Sequence, residues 1–148
     1  MLPNIRIVLV QTYHPGNIGA AARAMKTMGL TDLVLINPRR FPDPEATRLA
    51  AGAEELVENA RVVGSLAEAV ADCVQVVGAS ARLRSLPLPH FDEPETMAQA
   101  LVAQATDDPV ALMALHRGAS RALFVLPLVA WAFWWAFRGG GGRVAEAP

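Results

Sequence analysis

The sequence predicts an α/β fold: a mostly parallel sheet with helices on both faces. Two observations carry that prediction. Short apolar, β-branched runs recur between residues 5 and 113, and helical patterns with identifiable caps separate them. Such alternation builds βαβ units, whose strands run parallel and whose crossover helices cover the sheet. The sequence contains no internal repeat.

Residues 5–10 are almost wholly apolar and β-branched, as a strand covered on both faces requires. A turn-rich stretch follows, Thr12-Tyr13-His14-Pro15-Gly16-Asn17, in which Asn17 can serve as a helix N-cap. Ile18, Ala21, Ala22, Met25 and Met28 then recur at helical spacing, and Gly29 stops that helix as a C′ glycine does. Residues 33–36 predict a second strand, ended by Asn37-Pro38. Asp43 and Pro44 read as N-cap and first residue of a helix through Leu49. Val62 and Val63 supply a short third strand, and Ser65 with Glu68 has capping-box spacing for a helix through Val70. Residues 73–77 predict another strand, in which Cys73 reads as a small inert core residue. An Arg- and Pro-rich loop covers residues 81–91. Asp92 and Pro94 then open a helix to about Ala105, and residues 109–113 give the last strand.

The 148 residues fit one domain, and 53% hydrophobic with 18% charged residues excludes disorder for most of the chain. The single cysteine excludes an internal disulfide and every multi-Cys zinc pattern. His14, His90 and His116 have no metal-ligand spacing, so no metal is expected. The N-terminus has no secretion signal, and a cytoplasmic location is the expectation. Formal charge is −1, but it is unevenly distributed. Up to Leu115 nine basic face thirteen acidic residues, a net of −4; from His116 onward four arginines face one acid, a net of +3.

Ligands of open parallel sheets bind beyond the carboxyl ends of the strands. Arg23 and Lys26 follow the first strand, Arg39 and Arg40 the second, and Arg82 and Arg84 the run at 73–77. Six of the nine basic residues before His116 thus fall on one predicted edge, where they can hold phosphates or simply be solvated loop charges. The segment His14-Pro15-Gly16-Asn17-Ile18-Gly19-Ala20-Ala21-Ala22-Arg23-Ala24 lies at the same edge. Its small residues permit close approach of backbone or ligand and leave helix N–H groups free. The spacing is not that of a dinucleotide fingerprint. A helix turning from about Ile18 would bring Arg23 near the end that carries Asn17.

The run from Asn17 to Met25 resembles the first motif of the SpoU-type SPOUT methyltransferases, the knotted RNA ribose 2′-O-methyltransferases. Val8-Leu9-Val10-Gln11, Asn37-Pro38-Arg39-Arg40-Phe41, Ala50-Ala51-Gly52-Ala53, Gly78-Ala79-Ser80-Ala81-Arg82 and Ser85-Leu86-Pro87 are similar to the TrmJ-like branch. The resemblance covers about residues 4–113. It implies S-adenosylmethionine-dependent 2′-O-methylation of a pyrimidine in the tRNA anticodon loop by a homodimer. It places Asn17 and Arg23 at the substrate ribose and phosphate, and Ala79, Ser80 and Ala81 at the cofactor. Arg39, Arg40, Arg82 and Arg84 become RNA contacts.

Beyond Met113 the family's Gly-Arg-Glu-x-x-Gly and Ser-Leu-Asn segments are missing, so the fold is expected to lack the complete C-terminal knot. Residues 122–137 are instead uninterrupted apolar residues holding all three tryptophans, followed by Arg138 and four glycines. A membrane anchor, a buried helix and a shifted reading frame compete as explanations. Twelve arginines to one lysine and 27 alanines indicate a GC-rich gene and favour the shifted frame. Residues 1–113 are then the methyltransferase part, and 114–148 an atypical tail. The expected function is a tRNA 2′-O-methyltransferase in truncated form that binds its cofactor weakly or not at all. A non-catalytic RNA-binding remnant and a membrane-attached accessory protein are the alternatives.

Overall fold

The computed structural model describes residues 2–79 and 90–115. After a 3₁₀ turn at Leu2–Asn4 the elements are β1 (Ile5–Val10), α1 (Pro15–Met28), β2 (Asp32–Ile36), α2 (Pro44–Ala50), α3 (Glu54–Glu58), β3 (Arg61–Val63), α4 (Leu66–Ala69), β4 (Gln75–Ala79), α5 (Pro94–Gln104) and β5 (Val110–Leu115). The five strands form one parallel sheet in the order β3-β2-β1-β5-β4. The α/β class and the parallel sheet are as the sequence predicts.

The central strands are apolar because both of their faces are covered. Ile5, Ile7 and Leu9 with Leu33, Leu35, Val110 and Leu112 line the main core, closed by α1, α2, α3 and α5. Val8, Val34, Ile36, Val63 and Ala111 line the opposite face, where Ala69 of the four-residue α4 packs. Each fully buried aliphatic side chain contributes about 1.5–3 kcal/mol, so most of the driving force lies on the α1/α5 side.

Local chemistry fixes most boundaries. Gly29 takes the left-handed conformation (φ 73°), its N–H reaching the Lys26 carbonyl, and so ends α1. The Asp43 carboxylate accepts the Glu45 N–H at 2.9 Å and caps α2. Ser65 Oγ accepts the Glu68 N–H at 3.2 Å, while the Glu68 carboxylate reaches back to the Gly64 N–H rather than to that of Ser65. Several boundaries differ from expectation: α3 is unforeseen, β5 runs on to Leu115, and three starts are displaced. α1 begins at Pro15, because proline suits the first helical position, so His14 occupies the cap and Asn17 lies inside the first turn. β4 spans Gln75–Ala79, because the Cys73 N–H turns back to the Val70 carbonyl before the strand can start. α5 is preceded by Glu93 rather than by a capping Asp92.

Arg6 is the one charged residue among the apolar β1 positions, and it is buried. Its Nε donates to Asp32 at 2.6 Å, its two terminal nitrogens donate to Asp72 at 2.5 and 3.0 Å, and Nη1 also reaches the Ala69 carbonyl at 2.9 Å. The pairing with Asp72 raises the guanidinium's pKa further and pulls the Asp72 carboxyl down to about 2. Cys73 lies beside this clamp, half-buried, with Sγ 3.4 Å from Arg6 Nη1. Burial pushes its thiol pKa up, which keeps it protonated. It therefore belongs to the approach to β4 and not to the strand core.

Candidate functional site

All five strands end on one edge, and three loops are laced together there. Gln11 and Asn37 both adopt left-handed backbone (φ 51° and 45°) at the ends of β1 and β2. The Gln11 N–H donates to the Ile36 carbonyl at 2.8 Å, and the Asn37 N–H to the Val63 carbonyl at 3.2 Å. Asn37 Nδ2 donates to the Gly64 carbonyl at 2.8 Å, and the Arg39 N–H to the Thr12 carbonyl at 3.0 Å. Asparagine tolerates this conformation better than glutamine, so the turn at Gln11 is held mainly by its bond to β2.

That turn delivers the chain directly into α1, whose N-terminus therefore lies at the carboxyl edge. Asn17 is buried in its first turn, with its N–H on the His14 carbonyl at 3.1 Å. Arg23 is exposed and makes no ion pair among the described residues. Six helical residues separate the two by about 9 Å along the axis and about 240° around it. They share a helix but not a face. Arg23 lies in the third turn of α1, and the Cα–Cβ bonds of a helix tilt toward its N-terminus, the end at that edge.

Lys26 leaves the edge altogether. It lies in the last turn of α1, and its ammonium donates to the Gly52 carbonyl, tying α1 to the turn between α2 and α3. The Gly52 N–H in turn donates to the Glu54 carboxylate at 2.9 Å, which lowers the Glu54 pKa. The Ala50-Ala51-Gly52-Ala53 segment is thus a helix connection, with Ala51 and Gly52 at positive φ.

The two glycines of the motif also have a structural task. A Cβ on Gly19 would lie 2.2 Å from the Ala46 carbonyl oxygen, 2.8 Å from the Ala50 nitrogen and 2.9 Å from the Leu49 carbonyl carbon. A Cβ on Gly16 would lie 2.6 Å from Leu49 Cδ1. The small residues let α2 seat directly on α1, and the close approach is made by protein backbone.

On the other side of β1, Ala79 ends β4 in register with Ala114 of β5, which pairs in turn with Leu9. Ala79 and Ala114 are half-buried at the carboxyl edge, packed against the main core. Ser80, Ala81, Arg82 and Arg84 lie outside the described residues, as does the 122–137 run. Among the described residues, no group of three His, Cys, Asp or Glu is placed to hold a metal ion. No described helix is long and apolar enough to cross a membrane.

The paired arginines after β2 are not equivalent. Arg40 Nη2 pairs with Asp43 at 2.8 Å, whereas the Arg39 guanidinium sits over the Tyr13 ring, 4.5 Å from its centroid. The Tyr13 and His14 rings meet edge-on at 4.8 Å. Sequence reading passed over Tyr13 as a turn residue. An aromatic among loop cations was the available signal.

The model of the SpoU rRNA Methylase family matches residues 4–128. The chain belongs to the SpoU methylase family. It is 56% identical over 113 residues to the tRNA (cytidine/uridine-2′-O-)-methyltransferase TrmJ of Salmonella typhimurium, an alignment covering 76% of this chain and 46% of that one. It therefore spans about half the length of the curated relatives it matches. A probable methylase family protein from Haemophilus influenzae superposes with a TM-score of 0.81 at 39% identity, over 100% of this chain and 72% of the other. TrmJ from Z. mobilis superposes at 0.76 and 30% identity, over 100% and 73%.

Proposed function

We propose that this chain carries the substrate-ribose side of a tRNA 2′-O-methyltransferase that draws its methyl group from S-adenosylmethionine. The 56% identity to a tRNA (cytidine/uridine-2′-O-)-methyltransferase carries this reading, and the family match over residues 4–128 takes in the whole α1 motif. Bound S-adenosylmethionine supplies an electrophilic methyl carbon on sulfur. Ala79, Ser80 and Ala81 would hold it, and the small half-buried side chains of Ala79 and Ala114 fit an adenosine at the strand ends.

The chain's own contribution is positioning and charge. Methyl transfer needs the 2′-oxygen in line with the methyl carbon, so orientation dominates the rate. Asn17, fixed in the buried first turn of α1, is suited to orient the ribose. A guanidinium stays protonated across the physiological range and cannot serve as general base. Arg23 is therefore the cation that stabilises negative charge developing on the 2′-oxygen and clamps the adjacent phosphate. The new C–O bond forms as the C–S bond breaks, and the hydroxyl proton leaves to water or phosphate. Arg39, Arg82 and Arg84 grip the flanking RNA. The reading includes a cytoplasmic homodimer.

The test is transfer of labelled methyl groups from S-adenosylmethionine to an unmodified tRNA transcript, with nucleoside analysis. Label at a pyrimidine 2′-oxygen, requiring a high S-adenosylmethionine concentration because the family segments beyond Met113 are missing, is the expected result. Arg23→Lys should lose at least about 100-fold in rate, because lysine lacks the planar fork that holds two oxygens at once. Turnover of Arg23→Lys close to that of the parent chain would remove the clamp. Tight RNA binding with no methyl transfer would leave only a non-catalytic RNA-binding remnant.

A further inference from the structure

We infer that Tyr13 is a positioning residue that holds Arg39 as an RNA-phosphate contact, while Arg40 locks the loop; this rests on the tRNA reading above. The two adjacent arginines have different surroundings. The Arg40 partner, Asp43, has a side chain only 12% exposed, and its other oxygen already accepts the Glu45 N–H. Arg40 is thereby pinned to the cap of α2 and its charge is matched. Arg39 has no carboxylate partner among the described residues. Its cation rests on the Tyr13 ring instead.

That support differs in kind from an ion pair. An aromatic ring holds a guanidinium through its quadrupole and takes up none of its charge, so the N–H groups stay available to phosphate oxygens. The backbone reinforces the placement: the Arg39 N–H is bonded to the carbonyl of Thr12, the residue before Tyr13. Tyr13 is itself braced by His14, the residue that precedes α1. Tyr13 is 46% exposed although large aromatics usually bury most of their area, and it lies two residues before α1, whose first turn holds Asn17. A guanidinium held over a ring also offers its plane to unstacked bases of single-stranded RNA. The ligand class is the phosphate-linked, unpaired nucleotides of an RNA loop.

The experiment measures binding of an unmodified tRNA transcript to the full chain against NaCl concentration, with thermal unfolding and methyl-transfer kinetics in parallel. Tyr13→Leu should weaken binding about 2- to 5-fold, as loss of one exposed cation–π contact implies. Tyr13→Phe should restore the parent affinity. Arg39→Ala should lower the salt slope by about one, and Arg40→Ala should leave it unchanged. The double Tyr13→Leu/Arg39→Ala variant should bind no worse than Arg39→Ala alone, because the tyrosine acts through the arginine. Tyr13→Leu should raise KM for tRNA with kcat and melting temperature unchanged. Parent-like binding by Tyr13→Leu, failure of Tyr13→Phe to rescue, or multiplicative losses in the double variant would each overturn the assignment while leaving the tRNA reading standing. A parent chain that binds no tRNA would overturn both.

Discussion

Gly19→Ala separates two accounts of the small-residue motif. A methyl group at position 19 would meet three backbone atoms of α2 at 2.2, 2.8 and 2.9 Å, whereas ordinary carbon contacts begin near 3.5 Å. Backbone cannot rotate aside, so α2 must recede from α1 by more than about 1 Å. Ala46 and Ala50, fully buried at that contact, would then lose their packing. Overpacking of this kind costs about 2–4 kcal/mol, offset by about 1 kcal/mol from the higher helix propensity of alanine. The net is a loss of about 1–3 kcal/mol, or a fall of roughly 3–9 °C in melting temperature for a chain of this size. Gly16→Ala is the internal control, since its methyl meets only the flexible ends of the Leu49 and Glu45 side chains and should change stability by less than about 1 kcal/mol. Thermal and urea unfolding followed by circular dichroism measure both variants. A Gly19→Ala protein as stable as its parent, with RNA binding lost, would refute the packing account and make the glycine a ligand-approach residue.

Two further outcomes follow from the ion pairs and caps. Asp72 has its pKa depressed by Arg6, so its stabilisation is full above about pH 4 and is lost as pH falls toward about 2. Because the carboxylate is half exposed, the effect should be about 1 kcal/mol, and Asp72→Asn should flatten the acid limb of the stability–pH curve. An unchanged acid limb would show that Asp32 alone satisfies Arg6. Asp43→Ala should cost about 1 kcal/mol in urea unfolding by removing the α2 cap and the Arg40 anchor together. No measurable loss would show that Pro44 alone suffices to start the helix.

The parts of the fold legible in the sequence are those whose determinants are local. β1, β2 and β5 read as strands because both of their faces are apolar, and Gly29, Asp43 and Ser65 act on backbone atoms within four residues. α3 was missed because five residues give no periodicity, and β4 was displaced because an edge strand has a weaker apolar signal; Val76 is 40% exposed. The Arg6 clamp joins residues 26 and 66 positions apart, which no window along the chain can see. The same limit applied to the site. The basic residues after β2 were legible, but which arginine is neutralised depends on Asp43, and which is held ready depends on Tyr13, 26 residues upstream.

These long-range pairings also bear on how a net-acidic chain could present the proposed RNA-binding rim. Asp32 opens β2, Asp72 precedes β4, and Asp107 and Asp108 precede β5, so acids cluster at the amino ends of the strands. Arg6, near the start of β1, is matched there by two of them. Lys26, at the far end of α1, is tied down on a carbonyl. Among the described basic residues Arg23, Arg39, Arg48 and Arg61 have no carboxylate partner; of these Arg23 lies on α1 and Arg39 follows β2, where the α1 N-terminus adds partial positive charge. A parallel sheet makes this separation cheap, because every strand runs the same way and every crossover helix points its N-terminus at the same edge. Summed over the molecule the charges leave a net of −1; along the strand axis they separate, which would draw an approaching phosphate chain to the edge where α1 begins.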